Sequence, residues 1–127
     1  MKSLKGTTVL VLEHNAILRL GVEALIESWE AEVVSGDNFE DILKVVEEAH
    51  LRPSVMLLPP TDHQVTADRL ARRLETDLGY RVPWIGITAD FSLLQRWRAG
   101  EFGGTLLEMP CSPETLHAAL LDALRKE

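Results

Sequence analysis

Apolar residues along this chain come in two alternating arrangements. Short unbroken runs, TTVLVL (7–12), AEVVSG (31–36), SVMLL (54–58), VPWIGIT (82–88) and GTLLEM (104–109), are each followed by a longer stretch whose apolar positions recur every three or four residues. An unbroken β-branched run suits a strand covered on both faces, and the wider spacing suits a helix with one buried stripe. Leu18, Val22, Leu25 and Trp29 form such a stripe between Ala16 and Trp29. Phe39, Ile42, Val46 and Ala49 mark a second helix, which Asp37 or Asn38 can cap. Ala67, Leu70, Ala71, Leu74 and Leu78 mark a third, from about Gln64 to Leu78, with Gly79 at its C-terminal end. A fourth runs from Phe91 to Phe102 with Leu93, Leu94 and Trp97. The fifth is SPETLHAALLDALRKE (112–127), with Ser112 as N-cap, Pro113 in the first turn and Glu114 complementing the helix dipole.

Five strand–helix units with short connections predict an α/β fold: a doubly wound, five-stranded parallel sheet, (βα)5, with right-handed crossovers. Neither an internal repeat nor a linker interrupts residues 1–127, so the expectation is a single domain. Met1 and the charged terminal RKE fit either a complete protein or one domain of a longer chain.

Composition narrows the function. With 46% hydrophobic and 26% charged residues the chain is an ordinary globular sequence, and a net charge of −7 argues against nucleic acid as a partner. The arginines that gather locally (Arg69, Arg72, Arg73; Arg96, Arg98) read as solvated helix faces. No apolar run reaches the ~20 residues that a membrane span needs, and MKSLKG lacks the apolar core of a signal peptide, so a cytoplasmic location without membrane association is expected. Cys111 is the only cysteine, and His14, His50, His63 and His117 show no paired i, i+4 spacing, so neither a disulfide framework nor a sequence-local metal motif is present.

In open α/β sheets ligands gather at the carboxyl ends of the strands. Those ends carry Glu13, His14 and Asn15; Pro59 to Asp62; Thr88, Ala89 and Asp90; and Glu108, Met109 and Pro110. No glycine-rich phosphate loop or nucleophile–base pair occurs among them, which disfavours an enzyme.

The stretches VLVLEHN, PSVMLLP, IGITAD and LLEMPCSPETL, in that order and at those strand ends, resemble the receiver domains of two-component response regulators over nearly the whole chain. The wording GVEALIESWEAEVV and LLEMPCSPETL is similar to receivers of hybrid histidine kinases. The resemblance implies the flavodoxin-like, CheY-like fold. In that family an aspartate ending the third strand takes a phosphoryl group, an acidic pair after the first strand helps to hold Mg²⁺, and a Ser/Thr and a lysine grip the phosphoryl oxygens. Carried over, Pro59 stands at the phosphoacceptor, Glu13 and His14 at the acidic pair, Thr88 at the switch hydroxyl and Met109 at the lysine. Pro110 stands at a proline whose preceding bond is typically cis, and Leu106 where many receivers carry a rotating aromatic.

These departures decide the expected function. Proline offers no oxygen to phosphorus or metal, imidazole is a poor Mg²⁺ ligand, and a thioether supplies no positive charge. The expectation is therefore a degenerate receiver without catalytic residues, with weak or no Mg²⁺ binding and no other cofactor. It would act as a phosphorylation-independent protein-interaction module for a histidine kinase or another signalling domain. The fourth-helix face with Leu93, Leu94 and Trp97 is the expected contact surface, for such a partner or for a second copy of the chain; Trp97 can equally pack inward. Trp84 and Trp29 read as core. Two alternatives stand beside this: an atypical phosphoacceptor using Asp62, which otherwise serves a turn or helix cap, and a small-molecule or metal sensor using the vacated pocket. For the latter, Glu13, His14 and Thr88 around the pocket are the candidate residues, and for a metal or acid/base pair Glu13 and His14, with His63 across the cleft as a third group. Cys111 is expected either to fill the corner or to carry a thiol made acidic by the last helix's dipole.

Overall fold

The computed structural model describes residues 2–125. Met1 and the last two residues of the expected fifth helix, 126 and 127, lie outside them. In chain order the elements are β1 (Thr8–Leu12), α1 (Ala16–Glu27), β2 (Glu32–Gly36), α2 (Phe39–Glu48), β3 (Val55–Leu57), β4 (Thr61–Asp62), β5 (Val65–Thr66), α3 (Ala67–Leu78), β6 (Trp84–Thr88), α4 (Phe91–Arg98), β7 (Thr105–Glu108) and α5 (Pro113–Arg125). The main sheet is parallel with strand order β2-β1-β3-β6-β7; β4 and β5 form a separate antiparallel hairpin. The chain reverses its direction of winding between β1 and β3, the place where such sheets open a crevice.

Strand parity assigns the two cores. Successive side chains of a strand point to opposite faces. Leu10 and Leu12 of β1, Met56 of β3, Leu58 just beyond it and Trp84 of β6 face α2, α3 and α4 through Ile42, Leu43, Leu70, Leu74 and Leu94. Val9, Val11, Val55, Leu57 and Ile85 face the other way, toward Ile26 of α1 and Leu116 and Leu120 of α5. Gly86 is required where it stands: a Cβ there would come within 2.9 Å of the Leu58 carbonyl oxygen and 3.0 Å of Leu106.

Helix boundaries follow their caps. Asn15 accepts from the amides of Ile17 and Leu18, Asn38 from Asp41, Asp90 from Leu93 and Ser112 from Thr115. Four expectations are corrected. The third helix starts at Ala67 rather than near Gln64, because residues 61–66 fold into the β4–β5 hairpin and Thr66 becomes the cap. The first helix ends at Glu27, with Trp29 buried beyond its end and Leu18 largely exposed, so its inner side is carried by Val22, Leu25 and Ile26. Ala49 is the exposed C-cap of α2. The fourth helix stops at Arg98, followed by Ala99 and then Gly100 at φ +87°, short of Phe102. Among the described residues, no helix is long and apolar enough to cross a membrane.

Candidate functional site

The mouth of the sheet at the β1–β3 junction is built by what two prolines prevent. Leu58 donates the last amide of that strand edge, to Ile85 O at 3.0 Å. Pro59 and Pro60 have no N–H to continue the ladder, and the chain turns outward. Pro60 O instead accepts from Ala67 N at 2.9 Å, which closes the base of the hairpin. Its tip is the pair His63 and Gln64, both in the left-handed region at φ 46° and 69°, as a two-residue hairpin turn requires. This turn presents Asp62 and His63 to the end of β1.

The β1–α1 loop faces them. Glu13 turns its carboxylate back on its own loop, Oε2 accepting from Asn15 N at 2.9 Å, while Arg19 donates to the Glu13 carbonyl at 2.7 Å. His14 points across the gap, with Nε2 2.5 Å from Asp62 Oδ1. His63 Nε2 lies 3.9 Å from the same oxygen, and the two imidazoles meet edge to face at 5.3 Å between centroids. His14 is held above its usual pKa, first by the hydrogen bond to Asp62 and, against partial desolvation, by the charges of Asp62 and Glu13 and the backbone of Asp37.

Beside this polar rim lies a cavity of about 300 Å³. Its floor is Val11, Leu57, Ile85 and Ile87, its sides are Leu18, Val22, Pro59, Met109 and Cys111, and polar groups enter only at the Glu13 and His14 edge. The Met109–Pro110 peptide bond is cis. Thr88 is buried, and its hydroxyl accepts from Asp90 N at 3.0 Å. Burial pushes the Cys111 thiol above its usual pKa, opposite to the expected dipole effect, because the sulfur lies against the apolar cavity wall.

The structure thus brings Glu13, His14, Pro59 and Met109 to one cavity, with Thr88 and Pro110 at the neighbouring strand ends. It does not gather the expected contact face on α4. Leu94 is 2% exposed, Leu93 and Trp97 pack against the core, and the Trp97 indole donates to Gly104 O at 2.8 Å. Sequence reasoning paired His14 with His63 but not with Asp62; adjacency of Asp62 and His63 was the available sign.

No family model matches the chain, and no curated protein sequence matches it. Solved structures do. A response-regulator receiver domain from Clostridium thermocellum is 16% identical with a TM-score of 0.76, covering 94% of this chain and 95% of that one. A chemotaxis protein from Vibrio cholerae is 18% identical with a TM-score of 0.73, covering 93% and 98%. The receiver domain of a sensor histidine kinase from Pseudomonas aeruginosa, solved with a magnesium ion coordinated in its active-site cleft, is 21% identical with a TM-score of 0.71, covering 94% and 98%. The strand order, the crevice at the β1–β3 junction and these likenesses together establish that the chain has the fold of the response-regulator receiver domains.

Proposed function

We propose that this domain is a degenerate receiver: a cytoplasmic module of two-component signalling that works through protein contact rather than phosphoryl transfer. The observation that carries this reading is the apolar cavity at the place where a phosphoryl group would have to be received. Three anionic phosphoryl oxygens need cations and hydrogen-bond donors. Here Pro59, Met109, Leu57 and Ile87 stand at the cavity instead, and the one carboxylate lining it, Glu13, is bonded to the Asn15 amide. Mg²⁺, which prefers an octahedron of oxygens, has too few partners there. A histidine kinase or another signalling domain is the partner class that the fold supports. Ile17 (82% exposed) and Leu20 on α1, with Phe91 on α4, are the most exposed of the large apolar side chains and are available for such a contact.

The test is an amide NMR titration of the domain with Mg²⁺, then beryllofluoride, then acetyl phosphate, followed by intact mass. Unmoved signals at Glu13, Thr88 and Met109 and an unchanged mass are expected. Saturable shifts or a gained phosphate would overturn the reading and make Asp62 the residue to replace.

The size and apolar lining of the same cavity favour one second reading, a sensor of a small apolar molecule. It requires a ligand-dependent rise in Tm, since binding to the native state alone must stabilise it.

A further inference from the structure

We propose that His14, Asp62 and His63 form a site for a divalent first-row transition ion of the zinc type, a function beyond the module described above. The three residues come from two separate loops, and one potential ligand atom from each lies within 4.8 Å of the other two. Two of those separations are 2.5 Å, His14 Nε2 to Asp62 Oδ1, and 3.9 Å, His63 Nε2 to the same oxygen. Around a tetrahedral ion with bonds of about 2.0–2.1 Å, neighbouring ligand atoms stand roughly 3.3 Å apart. The first pair has to open and the second to close, each by less than about 1 Å, which rotation of exposed imidazoles supplies.

The environment grades the three ligands. The Asp62 side chain is 13% exposed and forms the base of the site, whereas those of His14 and His63 are 46% and 85% exposed and stand at its mouth. A simple ion pair accounts for His14 and Asp62 but not for His63, whose Nε2 is too far from Asp62 to share a hydrogen bond yet is turned to the same oxygen. An ion between the three satisfies both imidazoles and the carboxylate at once and leaves an outward position for water. Two imidazoles and one carboxylate select Zn²⁺, Co²⁺ or Ni²⁺ over Mg²⁺ and Ca²⁺. Such an ion ties the β1–α1 loop to the β4–β5 hairpin, beside the apolar cavity that His14 lines. The proposal departs from the sequence-based expectation of no metal, since the hairpin that brings His63 toward His14 has no strong turn signature in the residues that form it.

The experiment is isothermal titration of the tag-free chain with Zn²⁺, paralleled by Co²⁺ absorption in the visible range. The variants are His14→Gln, Asp62→Asn and His63→Asn; the last keeps a residue that accepts the left-handed turn conformation. Circular dichroism confirms that each variant is folded. One Zn²⁺ per chain, weakened at least about tenfold by each substitution, with Co²⁺ ligand-field bands lost in parallel and no competition from millimolar Mg²⁺, is the expected result. Absence of saturable binding would overturn the proposal. So would binding that all three variants retain, which would locate the ion elsewhere on the chain.

Discussion

The imidazole of His14 and the carboxylate of Asp62 meet at 2.5 Å, Nε2 to Oδ1, across the gap between the end of β1 and the β4–β5 hairpin. The contact raises the His14 pKa above 6.5, chiefly through the hydrogen bond to Asp62. A histidine whose folded-state pKa exceeds its unfolded value contributes stability that is fully present below about pH 6.5 and is lost as pH rises through the folded value. In the metal-free protein, His14→Gln is therefore expected to cost more at pH 6 than at pH 8.5. The difference should not exceed about 1 kcal/mol, because both side chains reach water and solvent screens the pair. Histidine NMR titration provides the companion measurement, in which Asp62→Asn returns the His14 midpoint toward 6.5 with Glu13, Asp37 and His63 left in place.

Cys111 should behave as a sluggish thiol. Its sulfur lies at the apolar cavity, and burial alone raises its pKa. The thiolate is the nucleophile, so alkylation by iodoacetamide at neutral pH is expected to run slower than in the unfolded chain, with its pH profile displaced upward. A rate faster than the unfolded reference would restore the dipole-activated reading.

Asp68 holds two elements at once. One carboxylate oxygen accepts from the Trp84 indole at 2.8 Å, and the group also accepts from Gly103 N at 3.0 and 3.1 Å. Hydrogen bonds to a charged acceptor contribute about 1.5–3 kcal/mol, and truncation strands the indole N–H of a buried tryptophan. Asp68→Ala is expected to lose roughly 2–3 kcal/mol in urea unfolding, and Asp68→Asn, which keeps one acceptor, about half of that.

The face of the Trp84 ring lies directly over Gly104, where an added Cβ would overlap the indole. Gly104→Ala must displace a ring packed in the core, and a destabilisation of about 3 kcal/mol or more is expected, with an altered near-ultraviolet circular dichroism spectrum. A near-neutral result would mean that the ring has room to move.

Restoring one residue of the phosphoryl apparatus should not restore the chemistry. P59D returns a single carboxylate while position 14 keeps its imidazole and position 109 its thioether. It is expected to gain no mass from acetyl phosphate with Mg²⁺, whereas H14D/P59D/M109K together are expected to accept one phosphate. Labelling of P59D alone would show that the apolar surroundings are not the barrier.

Much of this fold is legible in the chain because strand burial and helix capping are local signals. Val9, Val11, Val55 and Leu57 alternate with Leu10, Leu12, Met56 and Leu58, and that two-residue period by itself divides the two cores. Asn38 and Ser112 cap the helices they precede, and Gly79 takes the left-handed C-cap of α3 at φ 80°. The β4–β5 hairpin is not legible, since His63 and Gln64 replace the Asn-Gly pair that would announce such a turn. What the hairpin conceals is the site itself: His14 lies 48 residues from Asp62, and no spacing rule joins them. For Trp97 the sequence left the inward and outward courses even, because its partner, the Gly104 carbonyl, belongs to backbone that no side-chain pattern describes.

The two indoles have a mechanical consequence. Asp68 fastens α3 both to the Trp84 indole of β6 and to the loop before β7, and Trp97 fastens α4 to the same loop one residue further on. Asp68, Trp84, Trp97 and the loop before β7 are thereby cross-braced, at the amino edge of the sheet where β6 and β7 begin. At the carboxyl edge the β1–α1 loop and the hairpin meet through side chains, His14 against Asp62 and His63. The brace joins α3, β6 and α4 to one short loop, so a substitution at residue 103 or 104 is felt by all three elements at once.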